Sequence, residues 1–227
     1  MALPIVLLPG TLCDEHVWDK VIAELGSAQP VITKPLGAHS NWDDELANLV
    51  ADLPKEFILV GFSLGGIAAL ALLDRYPERV KHLVLVASTA LADPEESQAR
   101  RRELLNLAEQ NGDFKALALM QISPCDQKNL SESGMDFAME MAERFSVEQY
   151  ACQTELACSR QDTRETLAQS TLPVDLIYGS EDKACGEKKQ LLIKKTCHQA
   201  KLHRVEGAGH WLPLSHPERV AAIISSS

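Results

Sequence analysis

The stretch Gly61-Phe62-Ser63-Leu64-Gly65-Gly66 constrains this chain more than any other. It follows an apolar, β-prone run, Phe57-Ile58-Leu59-Val60, and precedes an apolar run suited to a helix, Ile67 to Leu73. A strand that passes into a helix through glycines on both sides of a serine predicts a sharp turn with a strained serine backbone. A Cβ at either flanking position would collide with neighbouring backbone, so the glycine spacing is steric in origin. Such a turn lifts the Ser63 hydroxyl clear of the sheet and leaves backbone N–H groups at a helix start pointing the same way. One residue is then placed to attack a carbonyl while adjacent amides stabilise the oxyanion.

Small residues between a strand and a helix also serve packing, so the motif needs company. Gly209-His210-Trp211 follows a β-like run, Ala200 to Val205, and a glycine-rich turn that lets its loop fold back toward the sheet. Gly179-Ser180-Glu181-Asp182 follows directly on the apolar strand Val174 to Tyr178. An acid at that position either caps the next helix or faces the histidine, and both Glu181 and Asp182 are candidates. The interval from Asp182 to His210 accommodates one helix and one strand. The chain order Ser63, Asp182, His210 matches one known order of a nucleophile, acid and base, and differs from those of two unrelated protease folds.

On these motifs the chain resembles the α/β-hydrolase-fold superfamily, in particular small cofactor-free esterases such as the carrier-protein methyl ester esterase and enol-lactone hydrolase groups. The resemblance covers nearly the whole length outside a middle segment. Val6-Leu7-Leu8-Pro9-Gly10-Thr11 is similar to the family's first-strand loop, with Pro9 where a histidine usually stands. The resemblance implies an oxyanion hole from the backbone N–H of Thr11 (or Leu12) and that of Leu64. The family's Gly-x-x-Asp pattern favours Asp182 over Glu181 as the acid.

A chain of 227 residues that is 45% hydrophobic can bury a substantial core and is most simply one domain with an insertion. No apolar run approaches bilayer length, and the start lacks the basic character of a signal peptide. The six cysteines (13, 125, 152, 158, 185 and 197) are scattered, which suggests reduced thiols in a cytoplasmic setting. A net charge of −10 argues against nucleic acid and anionic membranes as partners, and disfavours an acidic carrier protein. No residue spacing suggests a metal site, and no cofactor is expected. Cys13, close to the first-strand loop, reads as packing filler beside the pocket.

Alternating strand and helix patterns imply an α/β fold, a mostly parallel sheet of about six strands flanked by helices. The expected strands cover 4–8, 30–33, 57–60, 80–86, 174–178 and 200–205. Helices are expected over 16–25, over 42–53, where Pro54 stops the run, and from the serine turn to Tyr76. Residues 1–91 and 171–227 are assigned to this core. Between 92 and 170 no strand is evident, and helical segments are expected at 94–110, 114–122, 135–145 and 147–158. The resemblance implies that 92–170 form a helical cap. Its apolar residues, including Phe114, Met120, Ile122, Met135, Phe137, Met139, Met141 and Phe145, are expected to divide between cap packing and pocket lining.

Arg100-Arg101-Arg102 is the densest basic cluster. A solvated helix face accounts for it, with Arg100 paired to Glu96 and Glu103 at helical spacing; the alternative is a receptor for a carboxylate or an acidic carrier. His16, His82, His198, His203 and His216 read as structural or surface residues. His39 sits where a strand-end loop would reach the site rim.

The expected chemistry is hydrolysis of a small or medium carboxylic ester through an acyl-enzyme, without cofactor. Two alternatives share the same residues: a lyase or C–C hydrolase of the menaquinone-pathway type, which a basic pocket would favour, and a slow-turnover ligand sensor. Fold alone does not separate them.

Overall fold

The computed structural model describes residues 2–27 and 29–226. Within them six strands form a single sheet: β1 (Ile5–Leu8), β2 (Val31–Thr33), β3 (Phe57–Phe62), β4 (Val80–Val86), β5 (Val174–Gly179) and β6 (Lys201–Val205). Their order is β2-β1-β3-β4-β5-β6, and every neighbouring pair is parallel. Because the chain steps from β1 out to β2 and then back across to β3, the carboxyl ends of β1 and β3 flank a switch point where a crevice opens.

The sheet is buried on both faces, and its strands alternate between two cores. Ile58, Val60 and Phe62 of β3 join one core with Ile5, Leu7, Val84, Val86 and Ile177. Phe57 and Leu59 join the other with Val6, Leu8, Leu83, Leu85 and Leu176. The first core is closed by α1 (Asp19–Leu25) and, near the C-terminus, by two helices: α11 (Leu212–Ser215) and α12 (Pro217–Ser225). The second is closed by α2 (Trp42–Val50), α3 (Leu64–Arg75) and α10 (Glu187–Thr196).

Two expected helices are shorter than their apolar pattern. The run from His16 divides into a 3₁₀ turn, Glu15–Trp18, capped by the Asp14 side chain, and then α1. Helix α2 stops at Val50 rather than Leu53. The Arg79 guanidinium donates to the carbonyls of Leu53 and Pro54, both at 2.8 Å, so these oxygens are satisfied outside a helix.

Between β4 and β5 lie six helices: α4 (Glu95–Asn111), α5 (Phe114–Gln121), α6 (Pro124–Asn129), α7 (Glu132–Glu143), α8 (Val147–Ser159) and α9 (Arg164–Gln169). Gly112, at φ 62°, ends α4, and the Asp113 side chain opens α5. Helices α6 and α9 have only six residues each, too few for a periodic apolar signal. The N-terminus of α6 is instead written as a capping box between Ser123 and Asp126.

The segment has its own small core, in which Ala108, Phe114, Leu117, Ala142 and Tyr150 pack around Leu12 from the loop after β1. Met139 and Phe145 pack against this core, whereas Ile122, Met135, Phe137 and Met141 pack against the main sheet. Of the eight apolar residues expected to divide between packing and pocket, only Met120 lines the cavity described below. The others cover sheet and helix surfaces, where more apolar area is removed from water.

Candidate active site

Ser63 occupies the turn between β3 and α3 with φ 51° and ψ −112°, a conformation that L-residues rarely adopt. The surroundings hold it there. Its N–H donates to Val86 O at 3.0 Å, and its carbonyl accepts from Gly66 N–H at 3.0 Å and Ser88 Oγ at 2.8 Å. The flanking glycines have the anticipated origin: a Cβ on Gly61 would overlap the Gly65 carbonyl, and one on Gly65 would overlap that of Leu8. Three non-glycine residues among those described have positive φ: Leu12, Ser63 and Ala87. They follow β1, β3 and β4, so the strained backbone is concentrated at the carboxyl edge of the sheet.

His210 arrives from the loop after β6. Its Nε2 is 3.0 Å from Ser63 Oγ, and its Nδ1 is 2.9 Å from Asp182 Oδ2. The second Asp182 oxygen accepts the N–H groups of Ala184 at 2.7 Å and Cys185 at 2.9 Å, which fixes the carboxylate. Asp182 is buried and Glu181 is exposed, so only Asp182 reaches the imidazole. The loops after β5 and β6 are tied together by Glu181 N–H to Ala208 O at 2.9 Å and Gly207 N–H to Ser180 Oγ at 2.9 Å.

Burial opposes a charged imidazole, but the adjacent Asp182 carboxylate outweighs it and raises His210 above the ordinary 6.5, with Asp126 adding to the rise. For Asp182, burial alone would push the carboxyl up. The His210 contact and the two backbone donors more than offset this and bring it below the ordinary 3.8. Cys13 lines the same cavity but is itself buried, and that burial pushes its thiol up.

The two amide candidates after β1 separate clearly. Leu12 N–H donates to Gln153 Oε1 at 2.9 Å and is engaged. Thr11 N–H and Leu64 N–H have no acceptor among the described residues, and both residues line the cavity at Ser63. That cavity has a volume of about 650 Å³ and is walled by the sheet edge and by α4, α5, α6 and α8.

Its charge is uneven. Arg100, Arg101, Arg160, Lys183 and Lys189 line it, against Asp93, Asp126 and Asp182. Asp93 lies 2.6 Å from Arg160 Nη2 and 3.0 Å from Arg101 Nε, so one carboxylate serves two guanidinium groups. Arg100 forms no ion pair among the described residues; its expected pairing with Glu96 and Glu103 does not occur, and it lines the cavity.

His39 is not among the cavity residues; its loop is folded down by Glu45, whose carboxylate accepts the N–H groups of Gly37 and His39, both at 2.8 Å. His82 and His203 both contact the buried Asp175 carboxylate within the sheet, at 2.6 and 2.5 Å.

Two residues at the site escaped the sequence reading. Gln153, fully buried, bridges Leu12 N–H and Leu36 O. Asp126, 1% exposed, accepts the N–H of Trp211 at 3.1 Å. The capping box was the one local signal for Asp126, and nothing local marks Gln153.

No helix among the described residues is long and apolar enough to cross a membrane. A pimeloyl-[acyl-carrier protein] methyl ester esterase of Aromatoleum aromaticum is 27% identical over 244 residues, spanning 97% of this chain and 96% of that protein. The solved structure of a thermophilic esterase from Thermogutta terrifontis superposes with a TM-score of 0.85 at 23% identity, covering 100% of this chain and 89% of that one. An enol-lactonase from Burkholderia xenovorans has a TM-score of 0.86 at 17% identity, covering 100% and 91%. The alpha/beta hydrolase family model matches residues 5–223, and the chain belongs to that family.

Proposed function

We propose that this chain is a serine hydrolase that cleaves small or medium carboxylic esters through an acyl-enzyme. The reading rests on one observation, the continuous hydrogen-bonded run from Ser63 Oγ through His210 to Asp182 beside two unengaged backbone donors. His210 takes the Ser63 proton as Oγ attacks the ester carbonyl. Asp182 holds the imidazole with Nδ1 protonated and stabilises the imidazolium that forms. The Thr11 and Leu64 amides receive the oxyanion, where losing one donor typically costs ~3 kcal/mol of barrier. His210 then protonates the departing alcohol and activates the water that releases the acid.

In this reading residues 92–170 act as a cap over the core, and the helices that wall the cavity select the substrate. The relatives named for an acyl-carrier-protein ester make a carrier-borne methyl ester a natural substrate to assay beside free esters. The basic wall at Arg100 and Arg101 supports a second reading on the same residues, a lyase or C–C hydrolase whose substrate carries carboxylates.

The deciding experiment is hydrolysis of a p-nitrophenyl ester series, acetate to decanoate, with Ser63→Ala as control. Turnover with a chain-length optimum that falls at least ~10³-fold in Ser63→Ala supports the esterase. Equal turnover by Ser63→Ala sinks it. A wild type inactive on every ester but binding dicarboxylates shifts the assignment to the second reading.

A further inference from the structure

Helix α6 grips the His210 loop at both ends. Asn129 Nδ2 donates to Gly207 O at 2.8 Å, and Cys125 Sγ lies 3.4 Å from the same oxygen. Asp126 Oδ1 accepts Trp211 N–H at 3.1 Å, and the Asp126 carboxylate also fills the space a Cβ on Gly209 would need. The bonds to the β5 loop hold Gly207 and Ala208. On either side of His210, Asp126 meets the backbone at Gly209 and Trp211, while the His210 carbonyl accepts Leu212 N–H at 2.9 Å.

Asp126 is itself immobilised. Its Oδ2 accepts Ser123 Oγ at 2.6 Å and Ser123 N–H at 3.3 Å, completing the capping box. An ordinary capping carboxylate sits at the surface, where one backbone donor suffices. This one is turned inward and buried, and burial of a carboxylate is tolerated only when hydrogen bonds replace its water. Trp211 N–H supplies that replacement from 85 residues away.

We propose that Asp126, with Asn129, is a positioning residue for His210, so that the helical segment between β4 and β5 acts on the chemistry through the base as well as by walling the cavity. The proposal rests on the reading of His210 as general base. A base displaced by a fraction of a hydrogen-bond length from the Ser63 hydroxyl loses rate without losing substrate affinity.

Geometry and charge are separable here. The charged groups facing His210 are Asp182 from the loop after β5, Asp126 from α6 and Lys189 from α10; the carboxylates raise its pKa and the lysine opposes them. Asp126→Asn keeps an acceptor for Trp211 and removes a charge. Asp126→Ala removes both, and Asn129→Ala releases the Gly207 carbonyl from α6.

The test measures kcat, KM and the pH profile of ester hydrolysis in these three variants, together with the NMR titration of the His210 ring. Asp126→Ala and Asn129→Ala should each lose about tenfold or more in kcat with KM within about twofold. Asp126→Asn should recover most of the kcat lost in Asp126→Ala, and should shift both the acid limb of kcat/KM and the His210 titration to lower pH. Wild-type kcat in both alanine variants overturns the proposal, as does an Asp126→Asn variant as impaired as Asp126→Ala with an unmoved His210 titration. If Asp126→Ala does not fold, the isosteric Asp126→Asn and the partly buried Asn129→Ala decide the matter. Failure of the esterase reading is seen separately, as full activity in Ser63→Ala, while the ring titration needs no substrate.

Discussion

Gln153 on α8 accepts the backbone N–H of Leu12 at 2.9 Å, a contact spanning 141 residues of chain. With its Nε2 it also donates to Leu36 O at 3.0 Å, so one buried amide pins the loops that follow β1 and β2. Leu12 has φ 54° and its N–H is engaged, whereas Thr11 N–H has no acceptor among the described residues and Thr11 lines the Ser63 cavity. Gln153→Ala strands two buried backbone groups, which costs about 1–3 kcal/mol each where water does not reach them. A lowered denaturant midpoint together with a drop in kcat of about tenfold or more is expected, because the proposed mechanism uses the Thr11 N–H of this loop as an oxyanion donor. Denaturation and steady-state kinetics on one preparation check both, and a stability loss with unchanged kcat would remove Thr11 from the oxyanion site.

The pH dependence follows from the sign of the His210 shift. In the proposed mechanism His210 must be neutral to accept the Ser63 proton, and its folded pKa is raised above 6.5, so kcat/KM should rise with pH through a midpoint above that value. Asp182→Asn should lower the midpoint and the plateau together, whereas Glu181→Gln, at an exposed position, should change neither. The pair also links to stability. The raised histidine contributes below its unfolded pKa, and this is lost as pH rises through the folded value. The lowered carboxylate contributes above 3.8, and this is lost as pH falls through its folded value. Rate profiles and thermal melts over the same pH range measure the two effects.

Gly65→Ala tests the steric basis of the serine turn. The added Cβ would overlap the Leu8 carbonyl, which is backbone inside the sheet and has no rotamer through which to move. A loss of more than ~3 kcal/mol is expected, among the larger single-residue effects. A melt within a few degrees of wild type would mean that the β1–α3 contact is looser than described.

Asp93 separates buried from exposed pairing. Its carboxyl is fully buried against Arg160, whose side chain is 5% exposed, whereas Arg101 is 35% exposed. Asp93→Ala leaves Arg160 buried and uncompensated, at about 3–5 kcal/mol. Arg101→Ala should cost far less, near the ~1 kcal/mol ceiling of solvent-screened pairs. Equal losses in the two variants, measured by denaturation, would contradict this division.

Much of the site was legible because it is written locally. The serine turn needs two glycines to avoid backbone overlap, and that need appears as a five-residue pattern between an apolar strand and an apolar helix. The sheet was legible for a similar reason: parallel strands buried on both faces are continuous apolar runs. The short α6 and α9, and the early end of α2, were not, because six residues carry no period and the carbonyls after α2 are satisfied by Arg79, 26 residues away from Leu53.

The sequence by itself indicated the six strands and the longer helices in chain order, the serine turn and the chain order of Ser63, Asp182 and His210, since each is written in a local pattern. Only the tertiary structure separated Asp182 from Glu181 by contact with His210, Leu12 from Thr11 by its bond to Gln153, and a paired from an unpaired Arg100. Adjacent residues share one local environment, and what separates them is a distant partner: His210 for Asp182, Gln153 for Leu12, the Ser63 cavity for Arg100. Such partners meet only when the sheet and the helices between β4 and β5 have packed, and no local pattern records that meeting.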